Sequence, residues 1–316
     1  MGPVTRRGIY VHVPFCARAC PYCDFDFAVG RAPDAEAYLA GLAREVAARA
    51  DELAEWTGGP EDRSAGTWST VYVGGGTPSL LGGEGLARLA DWLRGRFPGA
   101  GAEEWTVEVN PEHGTPAFFA AIRAGGATRA SLGTQSLDAT GLTMLGRAHA
   151  PAQALASIEA AAAAGLRVSA DLIVGWPGQT AAGVEHDVRG LVEAGAAHVS
   201  VYALTIEDDT PWLKLVRRGK RRMPDSDHQA EMLAAAEAAL TTAGLVHYEV
   251  ASSARPGEES RHNLLYWTWQ DYLGLGPSAH SARYAADGSV VRRGNRRGLA
   301  AWLARRWKEE PGVEPA

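Results

Sequence analysis

The chain has 316 residues, 46% of them apolar and 22% charged, with a formal net charge of −6. That composition predicts a globular fold with a large core and opposes a broad phosphate-binding surface, so no nucleic-acid partner is expected. No apolar run approaches the ~20 residues that cross a bilayer. No apolar segment of signal-peptide length follows the basic start Met1–Arg7, and the Arg6-Arg7 pair alone is rejected as an export signal.

Ile9 to Val13 reads as a short buried strand ended by Pro14. The loop after it carries every cysteine of the chain, Cys16, Cys20 and Cys23, in the spacing Cys-x3-Cys-x2-Cys. Thiolates suit iron–sulfur clusters, zinc and Cu(I). Three of them can hold three irons of a 4Fe–4S cubane, which leaves one iron open to another ligand. A structural zinc site takes four protein ligands; His12 could complete one here. A disulfide framework would leave one cysteine over, and a reducing, cytoplasmic compartment fits the cysteine count better.

Pro33-Asp34 starts a helix with Asp34 as its cap, and 57 to 67 reads as a loop. Thr70 to Val73 is a second strand, followed at once by Gly74-Gly75-Gly76-Thr77-Pro78 and a helix near Gly85 to Phe97. A glycine-rich turn there lets backbone approach a ligand, but it lacks the lysine of a phosphate loop. Trp105 to Val109 is a third strand whose Glu108 faces away from Val107 and Val109. An acid on the inner face of a closed barrel needs a partner. Arg129 to Ser136 is a fourth strand, with Leu145-Gly146-Arg147 beyond it and a helix from Ala152 to Ala164. Val168 to Val174 is a fifth, with Asp171 inside an apolar run, followed by a helix from Ala181 to Ala194. His198 to Thr205 is a sixth. Six strand–helix repeats of ~30 residues imply parallel strands, which a doubly wound sheet and a barrel both satisfy. The candidate groups gather near strand C-termini, where (β/α) barrels place their sites.

Beyond the sixth strand, Arg217 to Arg222 is a basic run that reads as a solvated loop. A helix is expected over Ser226 to Ala243 and a strand over Val246 to Val250. His262, within Arg261-His262-Asn263-Leu264-Leu265-Tyr266-Trp267, is either a packed core histidine or an axial ligand to heme iron.

The cysteine spacing, with Tyr22 before the last cysteine, resembles that of radical S-adenosylmethionine (SAM) enzymes. The wider string from Tyr10 to Phe25, YVHVPFC…CPYCDF, is similar to the branch that holds oxygen-independent coproporphyrinogen III oxidases and HemW-like heme chaperones. The resemblance implies an α/β fold: a partial (β/α)6, TIM-like barrel over residues 1–215, with a small α+β extension over 216–316 that is short relative to the family. It implies a 4Fe–4S cluster on Cys16, Cys20 and Cys23, with SAM chelating the open iron. SAM would meet Tyr10, Tyr22 and the turn Gly75, Gly76, Thr77 and Pro78. Glu108, Gln135 and Asp171 would serve its ribose and ammonium, and Arg147 its carboxylate. Tyr272 to Ser281 would close over it. The segment HNLLYW implies heme, with His262 as axial ligand supported by Asn263, Tyr266 and Trp267. Implied partners are heme, a recipient apo-hemoprotein such as a membrane respiratory enzyme, and a flavodoxin or ferredoxin as reductant. The oxidases of this branch commonly carry a further cysteine where this chain has Phe25. That difference favours the chaperone over the oxidase, with a heme store or sensor as a third reading.

Overall fold

The computed structural model describes residues 6–30, 33–57, 67–208, 210–285 and 287–304; most of the loop expected over 57–67 lies outside them. Six strands run parallel and in chain order: β1 (Arg6–Val13), β2 (Thr67–Gly75), β3 (Glu104–Val109), β4 (Arg129–Gln135), β5 (Arg167–Val174) and β6 (His198–Ala203). Between them run α1 (Ala35–Ala48), α2 (Ala50–Thr57), α3 (Gly82–Arg96), α4 (Pro116–Ala124), α5 (Ala139–Met144), α6 (Pro151–Ala163) and α7 (Ala181–Glu193). Side-chain caps start several of these helices. Asp34 accepts from Ala37, as expected, and Thr115, Asp138 and Thr180 do the same for α4, α5 and α7.

Alternation along each strand separates two environments. In β3, Val107 and Val109 are buried in the apolar core, and Trp105 and Val107 lie close to Leu86 and Ala90 of α3 and Ile122 of α4. Thr106 and Glu108 take the opposite face, toward the barrel interior. The same rhythm turns Ser131, Asp171 and Tyr202 inward on β4, β5 and β6.

The barrel does not close, so it is a partial (β/α)6 barrel. Beyond β6 come α8 (Pro211–Arg217), α9 (Ser226–Thr242), β7 (Ser252–Ala254), α10 (Arg261–Trp267), β8 (Asp271–Leu275), β9 (His280–Tyr284), β10 (Val290–Gly294) and α11 (Leu299–Leu303). Strand β8 pairs parallel with the free edge of β1, and β7 pairs antiparallel with β6. Among the described residues the sheet has 11 strands, in the order β10-β9-β8-β1-β2-β3-β4-β5-β6-β7 and then Val246–His247. Residues after 215 therefore extend the sheet at both edges. The strand expected over Val246 to Val250 stops at His247: Val250 is 78% exposed, and the Tyr248 amide turns back to the Ser252 carbonyl at 3.1 Å. The basic run is not all solvated loop either. Arg221 lies over the ring of fully buried Trp212, 4.1 Å from its centroid, and donates to the Met144 carbonyl.

The barrel floor is an ion-pair knot. The fully buried Glu104 carboxylate receives Arg129 Nε at 3.1 Å and Arg167 Nη1 at 3.3 Å. Arg129 spends its other nitrogens on Ser169 and on the carbonyls of Glu258 and Glu259. Glu104 also accepts from the His262 amide at 3.0 Å and the Ser260 hydroxyl at 3.4 Å, which fixes the start of α10. Removing one member of such a knot leaves an uncompensated buried charge, which costs about 3–5 kcal/mol. Glu104→Ala should lose about that much unfolding free energy in a denaturant titration; a loss below about 1 kcal/mol would mean the knot is not structural.

Candidate functional site

At the C-terminal ends of the strands opens a cavity of about 420 Å³. Its rim is the loop after β1, tied down by backbone. Phe15–Cys16 pairs with Ala28–Val29, and the Trp212 amide donates to the Pro21 carbonyl at 2.7 Å. Tyr22 packs on the apolar cluster of Leu145, Ile173, Trp176, Leu204 and Trp212. Cys16, Cys20 and Cys23 are free thiols that all line this cavity. Among the described residues, no three His, Cys, Asp or Glu side chains group closely enough to hold a single ion. His12 is not a ligand to spare: its ring nitrogens meet the Tyr10 hydroxyl at 3.1 Å and the Asp26 carbonyl at 2.8 Å. Three thiols spread round one cavity fit a polynuclear iron–sulfide core, one thiolate to each of three irons. Burial pushes the Cys23 thiol up to about 11, so metal binding there must displace its proton.

The turn after β2 forms the opposite lip. Gly75 has φ +109°, a left-handed value that favours glycine, and Gly76 donates to the Val13 carbonyl at 2.8 Å. A Cβ on Gly76 would sit 2.7 Å from the Phe15 carbonyl oxygen and 3.1 Å from Cys16 Sγ, so a side chain there would displace the cysteine loop. Thr77 Oγ1 lies 3.6 Å from Cys16 Sγ, and Pro78 continues the lip.

Inside, the carboxyls of Glu108 and Asp171 project from the strands into the cavity. Glu108 accepts from the Tyr72 hydroxyl at 2.8 Å and the Gly75 amide at 3.0 Å. Burial pushes its carboxyl up to about 7, against the Tyr72 hydrogen bond and with help from the Asp171 charge. Burial also raises Asp171 to about 7, offset in part by the Ser200 hydroxyl and Arg147. Gln135 lines the same space with φ +63°, where β4 breaks register at its end; a non-glycine residue held there is a strained, specified feature. Arg147 donates to Asn110 Oδ1 at 2.7 Å and the Gly133 carbonyl at 2.9 Å, with its other terminal nitrogen 3.7 Å from Cys20 Sγ. The cavity thus offers the Glu108 and Asp171 carboxyls, the Arg147 guanidinium and a backbone turn beside three thiols. It suits a zwitterionic, cationic small molecule next to a metal core.

The structure gathers Tyr22, Gly75, Gly76, Thr77, Pro78, Glu108, Gln135, Arg147 and Asp171 with the cysteines. It places Tyr10 in a neighbouring cavity, together with Tyr266. The structure places His262, expected as a heme ligand, at the barrel floor rather than in the first cavity. Its ring is 1% exposed at the barrel floor, Nδ1 meets Thr70 Oγ1 at 2.8 Å, and Nε2 meets the Tyr266 hydroxyl at 2.9 Å. Burial pushes its pKa down to about 3, which keeps the imidazole neutral. Asn263 donates to Glu249, and Trp267 is exposed at the surface. Tyr72, Asn110 and Tyr202 belong to the cavity but were not singled out from sequence. Their signal was positional: Tyr72 and Tyr202 hold inward phases of β2 and β6, and Asn110 directly follows β3.

Residues 10–191 match the Radical SAM superfamily. The heme chaperone HemW of Mycobacterium tuberculosis is 44% identical over 279 residues, covering 86% of this chain and 68% of the relative. The heme chaperone HemW of Escherichia coli is 35% identical over 289 residues, covering 90% and 72%. Among solved structures, the coproporphyrinogen III oxidase HemN from Escherichia coli, described as a radical SAM enzyme, matches with a TM-score of 0.77 at 24% identity. That match covers 96% of this chain and 69% of the oxidase, and is a likeness of fold.

Glu108 and Asp171 bind protons more tightly folded than unfolded, so they lower stability as pH rises from 4.5 and 3.8, respectively, through about 7. Glu108→Gln and Asp171→Asn should each shrink the fall in melting temperature of the metal-free protein between pH 5 and pH 8. An unchanged fall in both variants would show that these carboxyls titrate normally.

Proposed function

We propose that this chain, which belongs to the HemW-like branch of the radical SAM superfamily, is a heme chaperone that binds heme and passes it to an apo-hemoprotein. The reading is carried by the 44% identity to a heme chaperone along 86% of the chain. The first cavity supports it with the residue set that the superfamily's cofactors require. Cys16, Cys20 and Cys23 would hold a 4Fe–4S cluster. The backbone of Gly75 to Pro78, with Glu108, Gln135 and Asp171, would take the ammonium and ribose of SAM, and Arg147 would face its carboxylate. Bound together, cluster and SAM supply one-electron chemistry that no side chain here provides.

The chain's own part is positional. Trp212 and the Phe15–Cys16 pairing fix the cysteine loop, and Gly76 keeps the opposite lip close to it. The Glu108 and Asp171 carboxyls face the cavity's interior, and as anions they would pair with a sulfonium and an ammonium. A flavodoxin or ferredoxin is the expected reductant, a membrane respiratory enzyme the expected recipient, and a reducing cytoplasm the expected setting. Among the described residues no helix is long and apolar enough to cross a membrane.

Anaerobic reconstitution with iron and sulfide, followed by SAM titration, should give a cluster whose spectrum SAM perturbs. The Cys16→Ala, Cys20→Ala, Cys23→Ala triple variant should take up neither iron nor sulfide. The reconstituted protein should then bind heme and restore an apo-hemoprotein. Conversion of coproporphyrinogen III to protoporphyrinogen IX without heme transfer would replace this function with the oxidase reading.

A further inference from the structure

Half-buried Arg147 stands between β4 and the cysteine loop, and its neighbour Gly146 lets the two segments touch. A Cβ on Gly146 would sit 2.6 Å from Cδ of Pro21, the residue after Cys20. The guanidinium carries five N–H donors in a rigid planar fork. Its Nη2 gives to two oxygens, Asn110 Oδ1 at 2.7 Å and the Gly133 carbonyl at 2.9 Å. Its Nη1 donates to Cys20 Sγ at 3.7 Å.

A chain of side chains behind the fork aims it. Asn110 Nδ2 donates to Glu112 Oε1 at 3.2 Å, while Asn110 Oδ1 accepts from Arg147. Turning the Asn110 amide over would set its NH2 against the guanidinium and its oxygen against the carboxylate, so one orientation alone is satisfied. The Asn110 backbone N–H is pinned to Ser79 Oγ at 3.3 Å. Glu112 Oε2 faces Nδ1 of buried His149 at 3.6 Å, and His149 Nε2 meets the Thr134 carbonyl at 3.1 Å. Burial pushes the Glu112 carboxyl up, but His149, the Glu112 amide and Arg147 outweigh it and hold the group down at about 2, so it stays an anion. The guanidinium thus has one seat, with Nη1 on the Cys20 side.

We propose that Arg147 sets the reduction potential of the metal core: its Nη1 keeps a charged N–H on the Cys20 thiolate, and Asn110 with Glu112 is the positioning pair that holds it there. The inference rests on the reading of the three cysteines as cluster ligands. Net charge and hydrogen bonds to the sulfurs set the potentials of iron–sulfur centres. Reduction adds negative charge to the core, so a cation donating to one of its thiolates favours the reduced state and raises the potential. Groups one layer out from the ligands act by fixing such contacts in place. Three of the five N–H groups are used on Asn110, Gly133 and Cys20, and the other two can still serve a carboxylate, so this role and SAM binding do not compete.

The test is a potentiometric titration of the reconstituted full chain, without SAM, for wild type, Arg147→Gln, Arg147→Lys and Asn110→Leu. Dithionite with mediator dyes poises the potential, and electron paramagnetic resonance reads the reduced core. At the wild-type midpoint, Arg147→Gln should cut the reduced-to-oxidised ratio by about tenfold, a fall of 59 mV for a one-electron couple. Arg147→Lys keeps the charge without the fork and should fall by less. Asn110→Leu changes no charge, so a fall in the same direction there reports the lost aim of the fork. That variant also carries the test should Arg147→Gln assemble no core: its iron–thiolate stretching bands in resonance Raman spectra should rise as the N–H contact to sulfur weakens. Wild-type midpoints in Arg147→Gln and Asn110→Leu, with full iron and sulfide content, would overturn the tuning role and leave the cluster reading standing. Absence of an iron–sulfide core in wild type would overturn that reading and this role with it.

Discussion

The fold depends on how a buried carboxylate is satisfied. Most (β/α) barrels fill their interior with branched apolar side chains. This one turns its valines and leucines outward to the helices and lines its interior with Thr70, Glu104, Glu108, Arg129, Asp171 and Tyr202. Buried charges are tolerated only when paired. At the floor the protein pairs its own: Glu104 takes Arg129 and Arg167, and the same carboxylate anchors α10. At the mouth, Glu108 accepts from Tyr72 and a backbone amide, and among the described residues no cation meets it directly. One end of the barrel is thus closed by the chain's own chemistry, and the other is left electrostatically incomplete in a way that a cationic ligand would complete.

The core of this arrangement was legible in the sequence because it depends on local pattern. Cysteine spacing marks a short loop, alternation marks strand faces, and an acid inside an apolar run, such as Asp171, has few places to go. Alternation also puts Glu108 opposite Val107 and Val109. What was not legible depends on distant partners. His262 lies in a segment suggestive of metal binding, yet its burial and its hydrogen bond to Thr70, 192 positions away, are invisible in that segment. Arg221 reads as one charge in a solvated run until Trp212 is seen beneath it. The strand after Val246 fails because no neighbour buries Val250, which local composition does not reveal.

The two cavities share Asp24 and Phe25, so the cysteine loop is a partition between them. The loop is braced from both directions. Trp212 holds Pro21 from the α8 side, while Arg297 and Ser278 hold Asp24 and Asp26 from the later segment. Occupancy of one cavity would therefore be felt at the wall of the other through a few backbone contacts. A ligand-induced shift would need differential contact with that wall, and Phe25 is the side chain placed to provide it.

The pairing of β1 with β8 has a consequence for biosynthesis. Arg49, just after α1, donates to the carbonyl of Gly274, 225 positions away, and Glu45 is satisfied by Gly276, Asn295 and Trp302. A growing polypeptide on the ribosome has translated its cysteines long before it has translated the residues that shelter them. Metal loading early in translation would meet a half-built cradle, and late loading a finished one. A finished cradle thus depends on the length of message that separates the first strand from the neighbour of that strand.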